Sequence, residues 1–427
     1  MKILKFKYFI LFIFPALIFA QVNTYSPYSF FGVGNLAPSG FTQQLCTGGL
    51  GNAFFDTSHL NFSNPSSYSF LNITSVELSG MMNINTMTQG DLLQNNVNSN
   101  ITALGLGFPI SKKASMAFGL KPYSFVGYNI ETQVNNNSLG LIDYKFLGSG
   151  GLNNAVFGLS YAFFDKISIG TNLNYYFGTI NQTNAIEFDS VGFLNYREQT
   201  STIIRDLKFD FGVGFHQSIN EYNLSIGMVF SPSVDMNGKT TIFSNTYTLS
   251  GDYEYFGDTI SDYTVRDGYV KMPNFLGLGI NLSKGKNWLL GVDYNYTTWT
   301  DYSSFGEDIT YMDNLNTFIV GGYWVPKLSD IHNYWNTVQY RFGLSFSKGY
   351  LDLNYLEDLD VESPLLTDYT ISVGLGLPIP KNLSEANIGF QYGFRGTKDN
   401  NLIHEKYFNI IFSITFNDKW FTKRKID

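Results

Sequence analysis

The sequence predicts an all-β chain: a transmembrane antiparallel β-barrel of about fourteen strands with an N-terminal lumenal hatch. Three observations carry this. Segment after segment alternates with period 2. Phe408, Ile410, Phe412, Ile414 and Phe416 stand against Asn409, Ser413, Thr415 and Asn417, with Ile411 alone off pattern. Opposite each bulky face lie glycine and small polar residues, which suits lipid outside and a wet or plugged lumen inside. Short turns and longer polar segments also take turns along the chain, as in barrels whose turns are short on one membrane side and loops long on the other.

The elements follow in order. Lys2, Lys5 and Lys7 form a basic start, residues 9–19 an apolar stretch broken by Pro15, and Ala16 and Ala20 a cleavage pattern, so residues 1–20 read as a signal peptide. The apolar run is too short to span a bilayer comfortably. No cysteine follows the cleavage point, which argues against lipoprotein processing. No other long apolar run exists, so a helical membrane protein is excluded. Mean hydropathy is −0.06 although aromatics reach 17%, as expected when half of each strand meets lipid and half the lumen. The single cysteine, Cys46, allows no intrachain disulfide. Net charge is −8 without a basic cluster, so nucleic acid is not a partner.

Residues 21–73 are predicted to be a hatch. Turn formers are dense there and alternation is absent, so the segment cannot sit in lipid with its backbone unpaired. Its aromatic content, including Tyr25, Tyr28, Phe30, Phe41, Phe54 and Phe55, favours burial in a lumenal plug over a free arm. Asn64-Pro65 reads as a rigid turn, because proline fixes φ and the asparagine amide bonds nearby backbone.

From residue 74 to 427 the chain reads as the barrel. Strands are predicted near 74–87, 100–110, 114–132, 141–164, 166–181, 198–220 and 222–250. The others lie near 268–284, 287–301, 312–326, 334–350, 366–381, 385–397 and 404–418. Short turns fall at 111–113, 165, 221, 285–286 and 382–384, and a medium one at 327–333. Longer polar segments fall at 88–99, 133–140, 182–197, 251–267, 302–311, 351–365 and 398–403. An even count with a periplasmic N-terminus returns the C-terminus to the periplasm, placing the chain in the outer membrane with its long segments outside. In the fourth strand Gly148, Gly150 and Gly151 mark a bulge, a bend or a break. A gap in the wall is one reading; a barrel corner or close approach of the plug is the other.

At Gly48-Gly49-Leu50-Gly51-Asn52-Ala53-Phe54-Phe55-Asp56, followed by Asn61-Phe62-Ser63-Asn64-Pro65-Ser66, the chain resembles outer-membrane transporters of the FadL/TodX type. That resemblance implies a hatch with a glycine-rich turn inside a fourteen-stranded barrel, and passage of fatty acids or aromatic hydrocarbons. Its hatch motif falls on Gly48, Gly49, Gly51, Asn64 and Pro65, with Ser66 where that family has alanine. No ligand residue carries over. The opening Ser26-Pro27-Tyr28-Ser29-Phe30-Phe31-Gly32 and the ending Lys419-Trp420-Phe421-Thr422-Lys423-Arg424-Lys425 are similar to barrels from bacteria that use the type IX secretion system, some of whose barrel subunits the same superfamily resembles. This implies secretion-system protein partners.

Chemistry has little support. His216 shares inward parity with Lys208 and Asp210, but no serine motif is spaced to it, and a solvated lumen histidine fits better than a catalytic one. No metal-ligand cluster or cofactor motif is present. Inward parity also collects Glu77, Asp293, Gln339, Arg341, Gln391 and Arg395. Arg341 and Arg395 could clamp a ligand carboxylate, but ion pairs with Asp210, Asp293 or the plug are the simpler expectation. The acidic run 357–362 lacks the ligand register of a calcium loop and reads as a solvated outer loop.

Two functions remain. One is passive uptake of hydrophobic small molecules, fatty-acid or hydrocarbon-like, through the barrel. The other is a secretion-associated barrel that binds protein partners. An apolar pocket beside the plug favours the first; a filled lumen with apolar outer segments favours the second.

Overall fold

Nineteen strands hydrogen-bond into one antiparallel sheet that closes on itself in a computed structural model. It describes residues 24–420 apart from 39, 165, 190–191, 252, 354–364, 381 and 399–401. The expected signal peptide, the acidic run 357–362 and residues 421–425 of the C-terminal motif lie outside the described residues.

The chain first forms β1 (Asn35–Leu36) and a single helical turn, α1 (Thr42–Cys46). The wall begins with β2 (Thr74–Gln89), β3 (Leu92–Pro109), β4 (Ala114–Asn136), β5 (Gly140–Phe163), β6 (Ile167–Phe188) and β7 (Asn195–Ile219). It continues through β8 (Tyr222–Ser231), β9 (Val234–Ser250), β10 (Tyr253–Met272), β11 (Phe275–Lys284) and β12 (Trp288–Thr297). Two short pieces, β13 (Ser303–Ser304) and β14 (Glu307–Asp308), lead to β15 (Met312–Trp324) and β16 (Gln339–Asp352). The wall ends with β17 (Leu365–Pro378), β18 (Glu385–Arg395) and β19 (His404–Asp418). β19 pairs with β2 from His404–Thr88 to Asp418–Thr74, which closes the barrel.

β8 with β9, and β10 with β11, are each one wall strand interrupted by a proline, so the wall has fourteen strands. Pro232 and Pro273 have no N–H to give the ladder. Side chains stitch the interruption instead: the Ser233 N–H donates to Asn274 Oδ1 at 2.7 Å, and Lys208 Nζ donates to the Pro273 carbonyl at 2.9 Å.

The period-2 code becomes inside and outside. Ile280, Val292, Val320, Leu344 and Ile371 are successive cross-strand neighbours. All are about half exposed on the outer surface. Their chain neighbours point inward, Asp293 being buried.

Several expected outer loops are strands instead. β3 starts at Leu92, β6 runs to Phe188, β7 starts at Asn195, and β10 occupies most of the expected loop 251–267. β4, β5, β6 and β7 are 23, 24, 22 and 25 residues long, against roughly 9–11 needed to cross a bilayer. Beyond the lipid both faces of a sheet are wet. Backbone pairing persists there, but nothing demands an apolar side, so the alternation that reveals a strand disappears.

Residues 24–71 pack against the inward face of this wall. Phe41, Leu60, Phe62, Tyr68 and Leu71 form a core with Ala103, Ala117 and Val156. Toward the end with the long connections, Tyr28 and Val33 join Trp299, Tyr302, Tyr350 and Leu351. Tyr350 donates to the Gly34 carbonyl at 2.6 Å and Ser124 to that of Val33 at 2.7 Å. The described chain therefore starts inside the lumen, where Ser26 Oγ donates to Glu405 at 2.5 Å. It descends to the rim where Thr74 and Asp418 pair.

Candidate functional site

The glycine-rich turn is held at mid-height. Gly48 and Gly49 have φ of +78° and +101°, a backbone that a side chain would strain. The buried Asp293 carboxylate accepts the Gly51 and Asn52 N–H groups at 2.7 and 2.8 Å. The Asn52 amide donates to the Leu278 carbonyl at 3.1 Å and to Asn295 Oδ1 at 2.7 Å. The wall is bare where the segment meets it. Gly321 and Gly343 are cross-strand partners, and a Cβ on either would overlap the Thr47 backbone. Gly227 and Gly279 leave the same room for Asn52, and Gly374 and Gly389 for the Cys46 thiol. Burial pushes that thiol up to about 11.

Asn64 and Pro65 start a 3-10 helix, Pro65–Phe70. Asn64 Oδ1 accepts the Ser66 N–H at 3.0 Å and hydroxyl at 2.7 Å, while its Nδ2 donates to the Asn52 carbonyl at 2.6 Å. The two halves of the motif, twelve residues apart, thus hold each other.

A buried ionic chain ties the segment to the rim. His59 lies 3.2 Å from Asp56 and 3.7 Å from Glu385, and Glu385 lies 2.6 Å from Arg341. Burial alone would depress the His59 imidazole, but the Asp56 carboxylate and then Glu385 outweigh it and hold the ring protonated well above its usual range. Burial likewise opposes the Asp56 charge, and His59 wins, keeping that carboxyl well below the usual range. Gln43 adds a link, donating to both oxygens of Glu77 at 3.1 and 3.0 Å.

The other residues singled out in the sequence fall as follows. Arg341 also donates to Asn387. Arg395 pairs with Asp368 at 2.8 Å. Neither arginine meets Asp210 or Asp293, two of the expected partners; β18 supplies Glu385 to Arg341 and β17 supplies Asp368 to Arg395. Asp210 accepts from Asn174 at 2.7 Å. His216 is half-buried: it is packed against the Phe55 and Phe70 rings, each at 4.2 Å, and reaches Ser168 and Ser225 at 3.3 and 3.2 Å. Asp56, His59 and Glu385 escaped sequence reasoning because their meeting joins a turn to a strand more than 300 residues away.

The wall is not broken at Gly148, Gly150 and Gly151. β5 pairs continuously through them on both sides. Gly150 and Gly151, with φ of +111° and +137°, absorb a bend opposite the register shift between Pro122 and Ser124. The opening lies one strand earlier. β3 and β4 pair only from Leu104–Leu120 to Pro109–Ser115. Beyond that, β1 occupies the β4 edge, Asn35 and Leu36 facing Phe125 and Ser124. Pro122, which cannot donate to a ladder, sits where the seam begins; a proline inside an expected strand was the available signal for an edge.

Between β1 and the glycine-rich turn lies a cavity of about 520 Å³. Leu36, Tyr123, Trp299, Asn83, Lys208 and Asp210 are among its lining residues, a mixture rather than an apolar pocket.

Solved structures share this fold at low identity. The Pseudomonas putida toluene transporter TodX matches with 14% identity over 90% of this chain and 99% of its own, at a TM-score of 0.59. The Ralstonia pickettii toluene transporter TbuX matches with 11% identity over 89% and 98%, at 0.56. A Pseudomonas aeruginosa FadL homologue matches with 12% identity over 90% and 98%, at 0.58. These likenesses bear out the fold implied by the FadL/TodX resemblance, and two of the proteins, TodX and TbuX, are named as toluene transporters. No curated protein matches the sequence. The family described as BamG matches residues 2–427, and the chain belongs to the BamG family.

Proposed function

We propose that this protein is an outer-membrane barrel whose N-terminal segment is a standing hatch and whose work is to hold protein partners rather than to pass solutes. One observation carries the reading: facing glycines bring the backbone of Thr47, Gly48 and Asn52 directly onto the wall. Leu60 and Phe62 close over Gly105 and Gly119 on the opposite side. A solute would have to displace a segment held by buried hydrogen bonds and ion pairs. The cavity beyond it carries amides and charges such as Asn83, Asn409, Lys208 and Asp210, which a hydrocarbon would desolvate without replacing their partners. Membership of the BamG family agrees with a Bam-related protein partner.

A second reading is passive uptake of hydrophobic small molecules. The seam between β3 and β4 favours it, flanked on the outer surface by the exposed Ile101, Leu104 and Leu120. So does the fold shared with toluene transporters. Uptake of labelled oleate and toluene by uptake-deficient Gram-negative cells producing the chain separates the two, alongside mass spectrometry of the natively crosslinked protein. Background uptake with a stoichiometric protein partner is expected. Uptake above background by a partner-free barrel would overturn the first reading in favour of the second.

A further inference from the structure

β10 has an edge that nothing in the described structure covers. One side pairs with β9 along its length; the other is met only near its end, where Val270 and Lys271 pair with β13 and the Phe305 N–H donates to the Tyr269 carbonyl at 2.9 Å. From Tyr253 to Gly268 the second edge therefore presents backbone N–H and C=O groups without a ladder. Long open edges with apolar side chains template pairing with another chain, and stable proteins blunt or cover them. Charges and register shifts blunt it only in part, because Tyr253, Phe256 and Ile260 are 73, 62 and 60% exposed, and Tyr255, Tyr263 and Val265 are exposed too. Register shifts toward β9 interrupt it near Phe256–Ser261 and again between Val265 and Gly268, leaving Ser261–Val265 as its regular stretch.

Charge selects the occupant. Glu254 is already paired with Arg197 at 2.8 Å. Asp258, Asp262 and Asp267 are exposed along the same strand, opposed within the open stretch Tyr253–Gly268 only by Arg266, with Lys271 lying beyond it where β13 pairs. Two such edges brought together in a pair of copies would repel. A basic extended segment of a different polypeptide would be attracted, and charge complementarity of this kind sets partner and register.

We infer that the free edge of β10 accepts a basic, extended segment of a partner protein as an added strand, centred on Ser261–Val265. Main-chain hydrogen bonds would supply affinity, and alternate lysine or arginine side chains meeting the aspartates would supply selectivity. The inference rests on the protein-binding reading and names the surface it uses.

The test uses the purified full chain in detergent and three synthetic peptides. One alternates lysine with valine, one glutamate with valine, and one lysine with proline, which cannot complete a ladder. Backbone amide exchange is followed by mass spectrometry. The lysine–valine peptide is expected to slow exchange within 259–268 by roughly tenfold or more, as an added strand closes local opening. The other two should leave it unchanged. Asp258→Lys, Asp262→Lys and Asp267→Lys together should transfer the effect to the glutamate–valine peptide. No protection, equal protection by all three peptides, or protection elsewhere would overturn the inference. In cells, a photo-crosslinker in place of Thr264 should capture a different polypeptide through a basic segment, and capture of a second copy of this chain would overturn it. Solute uptake by the intact protein would sink the wider reading while leaving edge protection as a separate result.

Discussion

Replacing Asp293 with alanine isolates what holds the glycine-rich turn in the lumen. Its carboxylate accepts two backbone N–H groups, from Gly51 at 2.7 Å and Asn52 at 2.8 Å, in a buried setting. Hydrogen bonds to a charged group contribute about 1.5–3 kcal/mol each, so Asp293→Ala should weaken local docking by about 3–6 kcal/mol. Removing the carboxylate also relieves its own desolvation, so global stability should change less than local docking. The suitable assay is amide exchange of residues 48–55 in the detergent-solubilised barrel. Protection of the Gly51 and Asn52 amides should fall by roughly 10²- to 10⁴-fold, since about 1.4 kcal/mol is tenfold. Asp293→Asn keeps an acceptor of the same shape without the charge, and should lose about half of that free energy. Strand amides of β12 should stay protected in both variants. Unchanged protection at Gly51 and Asn52 in the alanine variant would refute the idea that this carboxylate anchors the turn.

Leu344→Arg should destabilise the barrel by about 2–4 kcal/mol, the cost of a cation on the lipid face near mid-membrane. Ser345→Arg should cost less, and equal costs in urea unfolding from liposomes would reverse the inside–outside assignment. The His59 contact should depend on pH in a defined sense. His59 is raised above its unfolded value, so its contribution is full below about pH 6.5 and fades as pH rises through the folded value. Asp56 is lowered, so its contribution is full above about pH 4 and fades as pH falls further. Protection at residues 55–60, taken relative to the intrinsic base-catalysed exchange rate, should therefore fall at alkaline pH in the native protein. In His59→Gln that alkaline dependence should vanish, and its persistence would exclude His59 as the source. Cys46 is buried under the wall and its thiol is pushed up to about 11. It should resist maleimide near neutral pH until the segment is displaced, and rapid labelling of the folded protein would show that the segment opens readily.

The barrel was legible in the sequence because lipid and lumen make opposite demands on adjacent residues, and strand geometry writes that demand with period 2. Val292, Leu344 and Ile371 could be placed outside from parity alone. Where the lipid ends the code ends too. The expected loop 251–267 is largely β10, and the single strand expected over 222–250 is broken at Pro232. The polar lumen residues were legible by direction but not by partner. Arg395 points inward as parity requires, yet it meets Asp368 rather than Asp210 or Asp293.

By itself, then, the sequence determined the strand code and count, the irregular aromatic segment ahead of the wall, and the glycines that must lie against something. These are local or periodic properties, set by each residue and its near neighbours. Only the tertiary structure decided which backbone rests on which glycine, and that Asp293 serves the turn at Gly51. It also decided that His59 reaches Glu385, and that the seam lies between β3 and β4 rather than at Gly148–Gly151. Each of those is a meeting of groups far apart in the chain, fixed by barrel closure and register, and no local pattern encodes the distance between them.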